Sequence, residues 1–316
     1  MNKILKTGLS AAAGAATFCV VAGEVALFML SNRNCNLQAI LDKFIDVDSE
    51  EERAIEQEKL DDLEWIEAQD LKHFHMKSDD GLDLHASLLP AKEPSNKYVF
   101  GIHGYRCYGT KEFGTVAKFY RDLGFNFFMI DHRAHGASEG TYITYGAKES
   151  EDCHKWLAFM REEFGEDIQI VIHGISMGAA TTMLLLGKEL PDNVVFAVSD
   201  CGYSSIKEQI EASIGSLHLP GKLGYQLYRV AAKLPADYDP ALGETSESLP
   251  KCTVPVLFVH GKDDDFVPFS NVHRNYDACA HPDKRLIEVP HCKHAHAFQT
   301  GTAMKEAITE MIDQYM

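Results

Sequence analysis

The chain has 316 residues, 45% hydrophobic and 24% charged, which supplies a core of ordinary size and excludes wholesale disorder. Its formal net charge is −17 and no basic stripe interrupts it, so nucleic acid is excluded as a partner. The eight cysteines form no CxxC pair, which excludes a zinc ribbon and a thioredoxin-like motif and leaves mostly free thiols as the reading.

Residues 1–36 open with Lys3 and Lys6, then run from Thr7 to Leu30 with Glu24 as the single charge. That length suits a bilayer-crossing helix, which needs about 20 residues, although the Ala and Gly content makes the run weakly hydrophobic. An uncleaved signal anchor, a cleaved signal peptide with small residues around Ala22, and an Ala-rich soluble helix all fit. The apolar residues that continue past Ala22 to Leu30 favour the anchor. Lys3 and Lys6 would then stay in the cytoplasm and the rest of the chain would lie outside, with secreted and cytoplasmic locations as alternatives. Arg33 on the other flank pulls against that orientation.

Residues 37–70 form an acidic linker: Asp42 to Asp70 holds thirteen acidic and three basic residues. Apolar positions such as Ile40, Phe44, Ile55, Leu63 and Ile66 among them predict one or two amphipathic helices with a solvated acidic face.

Residues 71–316 read as one α/β domain. Leu71–Ser78 and Leu82–Leu89 flank the turn Asp79-Asp80-Gly81, predicting an antiparallel pair. Apolar strands follow at Tyr98–Ile102, Phe125–Ile130, Ile168–Ile172, Val194–Val198, Val254–Val259 and Arg285–Val289. Helical stretches lie between most of them, so the central sheet is mostly parallel and covered on both faces. Between residues 204 and 249 no strand is evident. Apolar and aromatic clusters broken by Pro220, Pro235 and Pro240 predict a helical lid there, over the strand ends.

Chemistry is concentrated in Gly174-Ile-Ser-Met-Gly178. A strand leads into it and the small residues Gly178, Ala179 and Ala180 open a helix, the context in which Ser176 stands exposed on a sharp turn. The helix N-terminus directs free N–H groups and partial positive charge at any anion forming beside that hydroxyl. A serine nucleophile needs a histidine held by a carboxylate. In chain order, His260-Gly-Lys-Asp-Asp-Asp-Phe-Val-Pro268 and Pro290-His-Cys-Lys-His-Ala-His296 follow the last two strands and supply the candidates. Asp200, at the end of the preceding strand, is a rival for the acid. His291, His294, His296 and Cys292 could alternatively ligate a metal, but they lack the HExxH helix pattern.

These motifs, with His103-Gly104-Tyr105, Asp131-His-Arg-Ala-His-Gly-Ala-Ser138 and Asp200-Cys-Gly-Tyr203, resemble the α/β-hydrolases. The likeness is to the bacterial, often membrane-anchored branch near the serine aminopeptidase-like and monoacylglycerol lipase-like hydrolases, and it covers about Leu71 to Met316. The resemblance implies an HGxxDxxVP pattern that aligns Asp264 as the acid, with Asp263 and Asp265 fitting less well. It implies His294 as the base, and the Tyr105 amide as partner to the Met177 amide in an oxyanion hole. It also implies that His103, His132, Arg133 and His135 brace turns, with Arg133 open to a substrate contact.

The function expected is a serine hydrolase of small or lipid-like acyl esters, working through an acyl-enzyme and requiring neither cofactor nor metal. A serine aminopeptidase-like peptidase, an acyltransferase and a non-catalytic binding protein are the alternatives. A dehalogenase, which needs an acid at position 176, is excluded.

Overall fold

A computed structural model of the chain describes residues 3–35 and 50–316. Eight strands form one sheet: β1 (Lys72–Lys77), β2 (Asp83–Leu89), β3 (Lys97–Ile102), β4 (Asn126–Ile130), β5 (Gln169–Ile175), β6 (Val194–Asp200), β7 (Val256–Gly261) and β8 (Lys284–Val289). Their spatial order is β1-β2-β4-β3-β5-β6-β7-β8. The β1–β2 and β2–β4 pairs are antiparallel and every later pair is parallel, as the Asp79-Asp80-Gly81 turn and the subsequent strand–helix rhythm predict.

Alternate residues of the inner strands point to opposite faces, so each strand feeds two cores. Phe100, Phe128 and Ile172 pack on one side beneath α4 (Ala147–Phe164) and α5 (Met177–Leu185), around the fully buried Trp156. Val99, Phe127 and Val171 pack on the other against α3 (Gly109–Asp122) and α10 (Ala303–Tyr315). Strands hydrophobic on both faces are what a sheet covered by helices on both sides requires.

The 204–249 interval forms two principal helices, α6 (Ile206–Ser216) and α7 (Gly221–Ala232), followed by short turns that include α8 (Thr245–Ser248). α9 (Ser270–Ala278) then connects β7 to β8.

Two N-terminal helices lie on this frame. α2 (Glu50–Glu67) belongs to the acidic stretch and buries Ile66 completely; Lys118 of α3 pairs with its Asp62, and Gly114 packs against the Asp62 backbone. The expectations for residues 36–49 fall outside the described residues.

α1 (Lys3–Ser31) covers the stretch expected to span a bilayer, but among the described residues no helix is long and apolar enough to cross a membrane. Its C-terminal part instead belongs to the domain core. Leu27 and Leu30 are buried there, and Gly23 sits so close to α7 that a Cβ on it would lie 2.6 Å from the Leu227 carbonyl oxygen.

Candidate active site

β5 delivers Ser176 at a turn with φ 56° and ψ −117°, a strained conformation for a residue with a side chain. Two close backbone approaches create that turn. A Cβ on Gly178 would lie 1.8 Å from the Ile102 carbonyl oxygen, and one on Gly174 would lie 2.4 Å from the Gly178 carbonyl oxygen. Glycine at both positions lets α5 start directly against the end of β3, which places its N-terminus beside the Ser176 hydroxyl.

The structure brings Ser176, His294 and Asp264 together. Ser176 Oγ lies 2.8 Å from His294 Nε2, and His294 Nδ1 lies 2.7 Å from Asp264 Oδ2. His294 comes from the loop after β8 and Asp264 from the loop after β7, both at the C-terminal edge of the sheet, where parallel α/β sheets gather their ligands.

Asp264 is almost fully occupied. Its Oδ1 accepts from the amides of Phe266 and Val267 at 3.0 and 2.8 Å, and its Oδ2 also lies 3.0 Å from His260 Nε2. Burial pushes its pKa up, but the bonds from His260 and His294, the His294 charge and the Val267 amide outweigh burial and hold the carboxyl well below the carboxylate range. It therefore stays ionised and fixes a proton on His294 Nδ1, which leaves Nε2 to accept from the serine.

Asp200, the rival acid, has a different environment. Its side chain makes no hydrogen bond to His294 among the described residues, its Oδ1 is unpartnered, and burial pushes its pKa up to about 7. Its main chain contributes instead, since the Asp200 carbonyl accepts the Ser176 amide at 2.8 Å.

The three histidines of the 291–296 loop diverge. His291 is exposed near Asp263 and His294 faces Ser176, while His296 Nε2 lies 3.3 Å from Glu56 of α2. That contact is the largest factor lowering the Glu56 pKa to about 2. The ligand atoms that cluster most tightly among the described residues are those of Cys201, Asp264 and His294. Two of these three side chains are already hydrogen-bonded to each other.

The loop after β3 packs on Ser176: a Cβ on Gly104 would lie 3.3 Å from Ser176 Cβ. Its amides are committed on either side of Tyr105, with Gly104 N–H donating to Glu112 Oε2 at 3.0 Å and Arg106 N–H to His135 Nε2 at 3.1 Å. The Tyr105 amide between them and the Met177 amide at the start of α5 have no such partner among the described residues. His103 braces this loop through Nδ1–H to the Gly104 carbonyl at 2.7 Å, while its Nε2 accepts from the His132 amide at 2.9 Å. Burial, then the neighbouring His132, lowers its pKa to about 3, so it is neutral, as this bonding requires. Arg133 is turned away from Ser176 toward a bidentate pair with buried Asp152 and a contact to Asp80.

Two spaces flank Ser176. A cleft of about 570 Å³ is lined by Lys59, Leu63, Arg106, Glu112, Phe266 and His294, with α2 as one wall. The other is a cavity of about 10 Å³ beneath α6. Sequence reasoning missed Glu112, Phe266 and the α2 wall, because no local spacing connects them to the serine.

A family model described as serine aminopeptidase, S33, matches residues 93–218. The chain is 30% identical over 194 residues to the uncharacterized protein YqkD of Bacillus subtilis, a match covering 61% of this chain and 63% of that protein. It spans about three fifths of the length of the curated relatives it matches. Among solved structures it is similar to a Pyrococcus furiosus esterase, with TM-score 0.64, 21% identity, and coverage of 81% of this chain and 94% of that one. It is also similar to the α/β-hydrolase GrgF from a Penicillium species, with TM-score 0.60, 15% identity, and coverage of 78% and 99%. The fold is thus the α/β-hydrolase fold.

Proposed function

We propose that the protein is a serine hydrolase that cleaves acyl esters. The reading rests on one observation, the unbroken line of hydrogen bonds from Asp264 through His294 to Ser176. Ser176 Oγ attacks the acyl carbonyl as His294 Nε2 takes its proton, and the Met177 and Tyr105 amides receive the oxyanion. His294 returns the proton to the departing alcohol. Water, deprotonated by the same histidine, then releases the acid from the acyl-enzyme. Labelling by a fluorophosphonate probe together with turnover of p-nitrophenyl esters tests this. Ser176→Ala must abolish both, and unchanged ester turnover in that variant would refute the assignment.

A peptidase reading uses the same three residues and is favoured by the description of the matching family model. Aminoacyl-arylamides assayed beside the esters decide between them, a preference for the arylamides promoting the peptidase.

The proposal includes association with a membrane surface through residues 7–30, with the catalytic domain outside the cytoplasm. Supporting it, Phe18, Val21, Val25 and Phe28 of α1 expose an apolar row at helical spacing, preceded in sequence by Lys3 and Lys6. Alkaline extraction of membranes tests attachment, and protease treatment of intact cells tests the side.

A further inference from the structure

The proton route assigns the two spaces beside Ser176. His294 must protonate the departing alcohol, so the alcohol lies on the side of the large cleft that His294 lines. The acyl chain is left with the cavity under α6, lined by Tyr105, Tyr145, Met177, Tyr203, Gln209 and Phe266.

That cavity holds about 10 Å³, the room needed for one water-sized group. A methyl group is of that order; a propyl chain is not. Its tyrosine walls are also tied down, while Phe266 stands between it and the cleft. Tyr145 donates its hydroxyl to the Leu30 carbonyl at 2.8 Å, Tyr203 donates to the Tyr145 carbonyl at 2.7 Å, and the Tyr105 ring stacks on Tyr145 with centroids 5.5 Å apart. Met177 is fully buried and Gln209 nearly so. Widening the cavity would break buried hydrogen bonds to the end of α1 or dislodge α6, whose Ile206, Ile210 and Ile214 are anchored in the core.

We propose that the enzyme is selective for esters with a two- or three-carbon acyl group on a larger alcohol, the tyrosine cage fixed by Leu30 setting the limit. The inference rests on the hydrolase reading above. Large space on the alcohol side and almost none on the acyl side is the reverse of what a lipase for long acyl chains requires.

The test is kcat/KM of the full chain for p-nitrophenyl acetate, butyrate and octanoate, with fluorophosphonate labelling of Ser176 in parallel. The expected result is a fall of about 10-fold or more per added methylene beyond propionate. Gln209→Ala, which opens the cavity on its α6 side, should raise the butyrate-to-acetate ratio by about 10-fold. Wild-type preference for butyrate or octanoate, with Ser176 labelled, overturns the acyl-length inference and leaves the hydrolase reading intact. Absence of both labelling and ester turnover overturns both.

Discussion

The Tyr105 hydroxyl donates to the Leu30 carbonyl oxygen at 2.6 Å, joining the loop beside Ser176 to the end of a helix 75 residues away. A helix ends with carbonyls that lack intrahelical partners, and here the side of the domain that carries Ser176 caps them. Arg106 reaches the Met29 and Asn32 carbonyls, Tyr145 shares that of Leu30, and the Ile143 amide takes that of Ser31. α1 is therefore a structural part of the site wall.

Tyr105→Phe tests that relationship. It removes the hydroxyl and leaves the backbone amide in place. That hydroxyl donates to Leu30 and also accepts from Arg106 Nε at 2.8 Å, so two hydrogen bonds of about 1 kcal/mol each are lost, a thermal shift of several degrees. The expected kinetic signature is a lower kcat with KM little changed, measured on p-nitrophenyl acetate. Deleting residues 1–31 should give the same signature in stronger form.

Asp264→Asn should reduce kcat by on the order of 10⁴-fold while leaving the fold intact. The Phe266 and Val267 amides would hold the new side-chain oxygen, turning its NH₂ toward His294 Nδ1. That nitrogen must then accept, so the proton moves to Nε2, which can no longer take one from Ser176. Asp200→Asn, by contrast, should retain most activity.

Asp200→Asn should also change stability with pH. Burial raises the folded-state pKa from the ordinary 3.8 to about 7, so the folded protein resists ionising this group. Below pH 3.8 the carboxyl is neutral in both states and imposes no penalty. The penalty grows as pH rises from 3.8 to about 7 and is constant above that. The amide mimics the neutral acid. The variant should therefore melt several degrees above the wild type at pH 8 and together with it near pH 4, by differential scanning fluorimetry.

Gly178→Ala should cost at least about 3 kcal/mol, because the new Cβ collides with the Ile102 backbone rather than with a side chain that can move. Circular dichroism melts would show a large drop in midpoint or no soluble protein, and a wild-type midpoint would contradict the packing described.

What the sequence determined by itself is whatever depends on neighbours in the chain. The two-residue alternation of the strands, the Gly-x-Ser-x-Gly turn before a small-residue helix, and the order serine, aspartate, histidine are local patterns, each with a local physical cause. Tertiary structure decided the rest. Only the folded sheet brings His294 to Ser176 across 118 residues, sets Asp264 rather than Asp200 against it, and pairs His291 with Asp263 and His296 with Glu56 instead. Only packing turned an apolar run that could have suited lipid into a helix whose final carbonyls are held by Tyr105, Arg106 and Tyr145. Hydrophobicity records that a segment will leave water. Which surface receives it depends on distances that no spacing along the chain encodes.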